Sequence, residues 1–202
     1  MDMAKDEQLI ERPALTLPPE EAEWVCSHYQ DAKVILEYGS GGSTVLASEL
    51  SGKKVFSVES DKMWYRIMKR YLRQAGAKSE VHLHHANVGK TGKWGRPLNN
   101  DMWRRFHQYP NSVWDLDTFE APDLVLIDGR FRAACFLTVM LRTEQPVTVL
   151  FDDYAGRALY RQVEKWVKPA EIRGRMARFE LLPDELPRRD LTQILTLYTK
   201  TF

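Results

Sequence analysis

The sequence predicts an α/β fold: a doubly wound, mostly parallel seven-stranded sheet with an antiparallel terminal strand. Three observations lead there. Apolar, β-rich runs alternate with helical patterns along most of the chain. A cluster of glycines stands at the first junction between a strand and a helix. The 202 residues are enough for one such core, because a chain of that length buries most of its surface on folding.

Residues 1–16 have no clear period and read as an N-terminal arm, leaving 17–202 as a single domain. Pro18 and Pro19 followed by Glu20 and Glu21 mark a helix start. Proline suits a first turn whose N–H groups are unpaired, and carboxylates suit its positive end. KVILEY (33–38), KVFSVE (54–59) and EVHLHH (80–85) predict strands, with helices at TVLASEL (44–50) and at the amphipathic MWYRIMKRYLRQA (63–75) between them. That βαβαβ order predicts parallel strands joined by right-handed crossovers. Further on, PDLVLID (122–128) and PVTVLFDD (146–153) predict strands, FRAACFLTVML (131–141) and ALYRQVEKWV (158–167) helices. MARFELL (176–182) and TQILTLYT (192–199) predict a terminal β pair. The stretch 88–119 resists a regular reading and is an insertion after a strand end, either functional or a partly helical surface excursion.

Lysine and arginine (29) nearly balance aspartate and glutamate (28), so net charge offers no general attraction to nucleic acid, and no nucleic-acid partner is expected. The opening MDMAKDEQLIERP has neither a basic start nor an apolar stretch, and no apolar run approaches the roughly 20 residues that span a bilayer. A soluble, cytoplasmic protein without membrane contact is expected; the oligomeric state is left open.

The sharpest local signal is LEYGSGGST (36–44), between a strand and a helix. Gly39, Gly41 and Gly42 either permit a tight turn alone or let the backbone approach a ligand held by the helix's unpaired N–H groups. Eighteen residues after Gly41, the second strand ends at Glu59, which is a solvated strand-end charge or an acceptor for both hydroxyls of a ribose. A dinucleotide fingerprint calls for G-x-G-x-x-G, whereas Thr44 occupies the third glycine position here and Glu37 stands two residues before Gly39.

Glu37, Gly39 and Gly41 meet an E/D-x-G-x-G pattern that resembles motif I of the class I S-adenosylmethionine-dependent methyltransferases, and the resemblance runs from about Val34 to Leu197. It implies a Rossmann-like methyltransferase fold with S-adenosyl-L-methionine as cofactor. It further implies that Glu37 helps hold the methionine end, that Glu59 binds the ribose, and that Ala86 and Asn87, just past the third strand, stand where the family contacts adenine. Ser40, Gly42, Ser43 and Ser60 complete the implied cofactor set. Ser43 stands in place of a usual third glycine, with Gly42 displaced one step earlier. Asn87 also suits a purely structural turn.

An activated sulfonium donor needs the acceptor aligned and, for a hydroxyl, its proton removed. Asp128, after the fourth strand, and Asp152 and Asp153, after the fifth, are the candidate catalytic acids or metal ligands, because neighbouring strand ends share a crevice. Carboxylates of this sort suit Mg2+. The arrangement looks like that of metal-dependent small-molecule O-methyltransferases, although the lysine that follows the first aspartate in the catechol enzymes is absent. Helix capping is the alternative role for Asp128 and Asp153. Arg130, with Arg132 near it, clamps an anionic acceptor, neutralises the acids or forms surface pairs. The segment GKTGKWGRP (89–97) is a lid carrying Trp94 or a solvated loop. His84 or His85 is a further candidate base. Together these features lead to the expectation of methyl transfer from S-adenosylmethionine to an oxygen of a small polar acceptor such as a sugar. A non-catalytic module binding the cofactor or its product is the alternative, and an NAD-dependent oxidoreductase is a more remote one.

Overall fold

The computed structural model describes residues 9–183 and 187–201; residues 1–8 of the expected arm lie outside the described residues. Among the described residues seven strands form one sheet: β1 (Val34–Tyr38), β2 (Lys54–Glu59), β3 (Glu80–His85), β4 (Leu124–Ile127), β5 (Val147–Phe151), β6 (Glu171–Arg173) and β7 (Met176–Leu181). Their spatial order is β3-β2-β1-β4-β5-β7-β6. Neighbours from β3 to β5 are parallel, and β7 runs antiparallel to both β5 and β6. Three helices, α1 (Pro19–Asp31), α2 (Gly42–Glu49) and α3 (Lys62–Ala75), precede the 88–119 stretch. One turn of helix, α4 (Gln108–Asn111), lies within it, and α5 (Arg132–Arg142) and α6 (Leu191–Tyr198) follow.

The central strands are buried on both faces, as expected of parallel strands with helices on either side. Along β1 the pleat sends Leu36 and Tyr38 to one face, where they join a core with Phe136 of α5 and Ile194 of α6. Ile35 goes to the other face, with Trp24 and Tyr29 of α1 and Ala47 of α2. Glu37 shares the Ile35 face by the same alternation, so this carboxyl is folded in among helices.

Two sequence expectations are corrected near the C-terminus. TQILTLYT lies in α6: Ile194 and Leu197, three residues apart, turn inward while Leu191 and Leu195 are exposed, a helical spacing that overrides the β-branched residues. The strand that pairs with MARFELL is β6, whose EIR is short and mostly exposed and so carries no apolar signature. ALYRQVEKWV gives only a 3-10 turn at Tyr160–Lys165, held by buried Tyr160 and Val163, which align at the i, i+3 spacing of that helix.

The 88–119 insertion has two unlike halves. From Phe106 onward it is core: Phe106, Tyr109, Val113 and Trp114 are buried, and Tyr38 of β1 donates its hydroxyl to Pro110 O at 2.6 Å while accepting Trp114 Nε1–H at 2.7 Å. The earlier half is exposed at Trp94, Leu98 and Trp103 and lies over the ends of the strands. Among the described residues no helix is long and apolar enough to cross a membrane.

Candidate functional site

Strand order reverses between β1 and β4, and the loops leaving those two strands open a crevice there. They touch backbone to backbone. Gly39 has φ of 110°, and a methyl group on it would come within 2.8 Å of Gly129 Cα; one on Gly129 would lie 2.0 Å from the Tyr109 hydroxyl. Over this contact lies a cavity of about 460 Å³, within the range usual for small-molecule sites. Its base and sides carry Gly39, Ser40, Gly41, Gly42, Ser43, Glu59, Ser60, Asp128 and Arg130 from the expected set. Glu37, Asn87, Asp152 and Asp153 are outside its lining.

Glu37 is beneath the glycine loop. Tyr29 donates its hydroxyl to Oε1 and Thr44 donates to Oε2, each at 2.5 Å, and Thr44 Oγ1 in turn accepts the Gly41 N–H at 3.0 Å. Burial pushes this carboxyl above its usual range, opposed by the hydrogen bonds from Thr44 and Tyr29. The geometry makes it a brace for the loop, in place of the contact with the methionine end that the resemblance implies. Asn87 is exposed and its Oδ1 accepts the Gly89 N–H at 3.1 Å, which is a turn-forming bond. His84 Nε2 lies 2.7 Å from Ser112 Oγ and His85 packs against the Tyr65 ring, so neither joins the cavity.

Gly41 differs from its neighbours. Its φ of 179° is open to any residue, and a methyl group on it would meet nothing within 4 Å. Neither the φ angle nor packing within the protein requires glycine there, and the open space beside it is the cavity it borders. Gly42, by contrast, is needed by the protein itself: a methyl group would fall 2.3 Å from Leu15 N, because residues 14–16 of the expected arm cross over the loop and close that side.

On the β2 side, Glu59 Oε1 accepts the N–H groups of Ser60 and Asp61, both at 2.7 Å. Burial raises this carboxyl and those two backbone bonds oppose the rise. The first half of the insertion docks over it: Ser60 Oγ donates to Gly95 O at 2.8 Å, and Thr91 Oγ1 to Asp61 Oδ2 at 2.7 Å. Trp94 lines the cavity while remaining 67% exposed, so the expected lid is seated at the mouth. Sequence reasoning missed Asp61, which caps α3 by accepting the Trp64 N–H at 2.8 Å, although an aspartate just before an amphipathic helix carries that signal. It also missed Tyr109, whose signal is hidden in an irregular segment.

On the β4 side the three aspartates meet arginines. Arg132, 4% exposed, donates to Asp128 Oδ1 at 3.1 Å and to the main-chain oxygens of Asp128, Gly129 and Asp152. It also lies 3.2 Å from Asp153 Oδ2. Arg175 grips Asp152 through two parallel N–H bonds of 2.8 Å each, and Arg157 donates to Asp153 Oδ2 at 2.7 Å. Burial works to raise the Asp152 carboxyl, but the Arg175 bonds and the field of Arg132 hold it below its usual range. Asp128 alone of the three borders the cavity. Burial, aided by the carboxylates of Asp152 and Asp153 and opposed by Arg132, pushes it up to about 8.

These residues do not fit magnesium. Both oxygens of Asp152 are taken by Arg175, and the guanidinium of Arg132 stands among the carboxylates where a cation would be needed. Among the described residues no group of three or more metal-ligating side chains is assembled. The expected metal set of Asp128, Asp152 and Asp153 is thus corrected to an internally neutralised cluster of acids and arginines.

No protein-family model matches the chain, and no curated protein matches it. Among solved structures, a methyltransferase-like protein from Silicibacter pomeroyi is 45% identical, over 94% of this chain and 98% of its own, with a TM-score of 0.91. An O-methyltransferase from Bacillus cereus in complex with S-adenosylhomocysteine has 14% identity over 84% of each chain and a TM-score of 0.54. TomG, an O-methyltransferase of tomaymycin synthesis from Streptomyces achromogenes in complex with S-adenosylmethionine, has 14% identity over 85% of this chain and 82% of its own, with a TM-score of 0.53. The last two likenesses concern the fold. Nearly half of the residues are shared with the Silicibacter protein over almost the whole of both chains, and the protein belongs with it to the class I S-adenosylmethionine-dependent methyltransferase superfamily.

Proposed function

We propose that the cavity binds S-adenosylmethionine and that the protein transfers its methyl group to an oxygen of a small polar acceptor, without a metal ion. The observation that carries the cofactor assignment is Gly41, an unforced glycine bordering empty space, which shares the cavity lining with a buried strand-end carboxylate, Glu59. Ligand backbone and sugar hydroxyls are what such a pair accommodates. Once bound, the cofactor supplies an activated methyl group.

The chain's own part is alignment and proton removal. Glu59 anchors the ribose end, and the first turn of α2, with Gly42 and Ser43 at the cavity, offers its positive end to the cofactor carboxylate. Asp128 accepts the acceptor's hydroxyl proton: it reaches the cavity, and its raised carboxyl is matched to removing a proton near neutral pH. Asp152 and Asp153 act behind it, positioning Arg132, which in turn fixes Asp128.

Calorimetric titration with S-adenosylhomocysteine tests this reading. One ligand should bind per chain, with the same affinity whether magnesium or a chelator is present, and Glu59→Ala should weaken it by roughly tenfold or more, the loss of one or two charge-assisted hydrogen bonds. No binding to the wild type would sink the cofactor assignment, and a magnesium requirement would sink the metal-free one.

A further inference from the structure

Two arginines stand two residues apart at the end of β4 and differ in every respect. Arg132 spends its guanidinium on main-chain oxygens and three carboxylates. Arg130 forms no side-chain hydrogen bond or ion pair among the described residues, and its Nε is buried without a partner. A half-buried guanidinium with no partner carries a desolvation cost, which an incoming acid group relieves by accepting its N–H donors. Arg130 is among the residues that line the cavity, together with Tyr109 and Asp128. Its main chain is fixed there, since the Arg130 N–H donates to the Tyr109 hydroxyl at 3.3 Å.

Position decides which acid group it meets. The sheet order places β2, with Glu59, on one side of β1 and β4, with Asp128 and Arg130, on the other. A cofactor whose ribose is at Glu59 and whose carboxylate is at the start of α2 leaves the β4 side to the acceptor. The approach favours anions as well. Residues 89–107 carry five basic side chains, Lys90, Lys93, Arg96, Arg104 and Arg105, against the single acid Asp101, while the rest of the chain is net acidic. All five are exposed, and the lid bearing the first three reaches the mouth through Gly92, Trp94 and Gly95.

We infer that the acceptor is a small hydroxy acid, a molecule carrying a carboxylate or phosphate that Arg130 grips while a hydroxyl of the same molecule faces Asp128. This rests on the methyl-transfer reading and narrows it, since a neutral sugar leaves Arg130 unpaired. Arg130 thereby sets specificity. In the transfer, the acceptor oxygen forms its bond to the methyl carbon as the carbon–sulfur bond of the donor breaks. The hydroxyl proton passes to Asp128, and the sulfonium becomes a neutral thioether.

The test uses minimal probes on the whole chain. Inorganic phosphate and acetate are titrated, against chloride at constant ionic strength, into wild type, Arg130→Gln and Arg130→Lys, each with and without saturating S-adenosylhomocysteine, following tryptophan fluorescence and melting temperature. At least one anion should bind wild type with a Kd on the order of millimolar, and Arg130→Gln should weaken it about tenfold, with partial rescue in Arg130→Lys. The affinity for S-adenosylhomocysteine should stay within about twofold in all three proteins. Phosphate preferred over acetate would mean a phosphorylated acceptor, and the reverse a carboxylic one. An anion response equal in wild type and Arg130→Gln, or absent from both, overturns the proposal. So does a large loss of S-adenosylhomocysteine affinity in Arg130→Gln, which would make the arginine a clamp for the cofactor's own carboxylate. Failure of wild type to bind S-adenosylhomocysteine would instead strike the cofactor reading, while the anion titrations of the unliganded protein remain decisive for Arg130.

Discussion

The two sides of the cavity solve opposite problems. Around β1 and β2 the buried acids are satisfied by neutral donors, Glu37 by the hydroxyls of Tyr29 and Thr44 and Glu59 by the N–H groups of Ser60 and Asp61, and the result is a rigid loop with an open face at Gly41. Around β4 and β5 three acids crowd together and are neutralised by full charges, Arg132, Arg157 and Arg175. Neutral donors need only short reach and fixed geometry, so the first side is built from residues close in sequence. Charge neutralisation draws on distant segments, and Arg175 arrives from the turn between β6 and β7. The first side holds a shape, whereas the second holds a balance of charge that one substitution upsets.

The largest expected effect tests that balance. Arg132→Ala leaves Asp128, Asp152 and Asp153 facing one another without their shared partner and removes donors from three main-chain oxygens. Breaking a buried ionic cluster from one side costs about 3–5 kcal/mol, so chemical denaturation should show a loss of that size. A loss below about 1 kcal/mol would mean that water screens the cluster like a surface pair.

The same contrast explains what was legible in the sequence. The strand order up to β5, the glycine loop and Glu59 are local patterns, and they were readable because a strand, a turn and a helix start each leave their mark within a few residues. The placement of Glu37 was not, since only the pleat of β1 and the arrival of Tyr29 from α1 send that carboxyl under the loop. The acids after β4 and β5 read as metal ligands because Arg175, which takes both oxygens of Asp152, comes from a distant turn that no local spacing announces, although Arg132 and Arg157 each follow an acid of the cluster at i, i+4. The last helix misled for a simpler reason. TQILTLYT is rich in threonine and isoleucine, and packing of Ile194 and Leu197 outweighed that preference.

A paired substitution sharpens the distinction between shape and support on the β1 side. Glu37→Ala takes the carboxylate acceptor from the buried Tyr29 hydroxyl, while Thr44 keeps Ser57 Oγ at 3.1 Å, and should cost about 1–3 kcal/mol. Gly41→Ala should leave stability unchanged within about 0.5 kcal/mol, since the added methyl meets no protein atom, yet weaken S-adenosylhomocysteine binding by roughly tenfold or more. Thermal melts and calorimetry on the two variants read both effects. A Gly41→Ala protein that binds normally would show that the open space beside the loop is not where the ligand lies.

The smallest effect concerns the proton on Asp128. Its carboxyl is raised in the folded chain to about 8, from an ordinary value of 3.8, so between those limits the folded state binds more protons than the unfolded one. Stability therefore falls as pH rises through that window, fully present below it and lost above about pH 8. Glu37 and Glu59, raised by burial, add slopes of the same sign. Asp128→Asn should flatten part of the slope. Because the side chain is 28% exposed, screening reduces the gain to about 1 kcal/mol at pH 8, or roughly 2–4 °C in a chain of this length. Activity should move the other way: kcat/KM, which reports the ionisation of the free protein, should rise with pH to a plateau above about 8, and Asp128→Asn should lose that limb altogether. A variant that keeps the pH profile of the wild type would remove Asp128 from proton transfer and leave it as part of the charge balance behind the cavity.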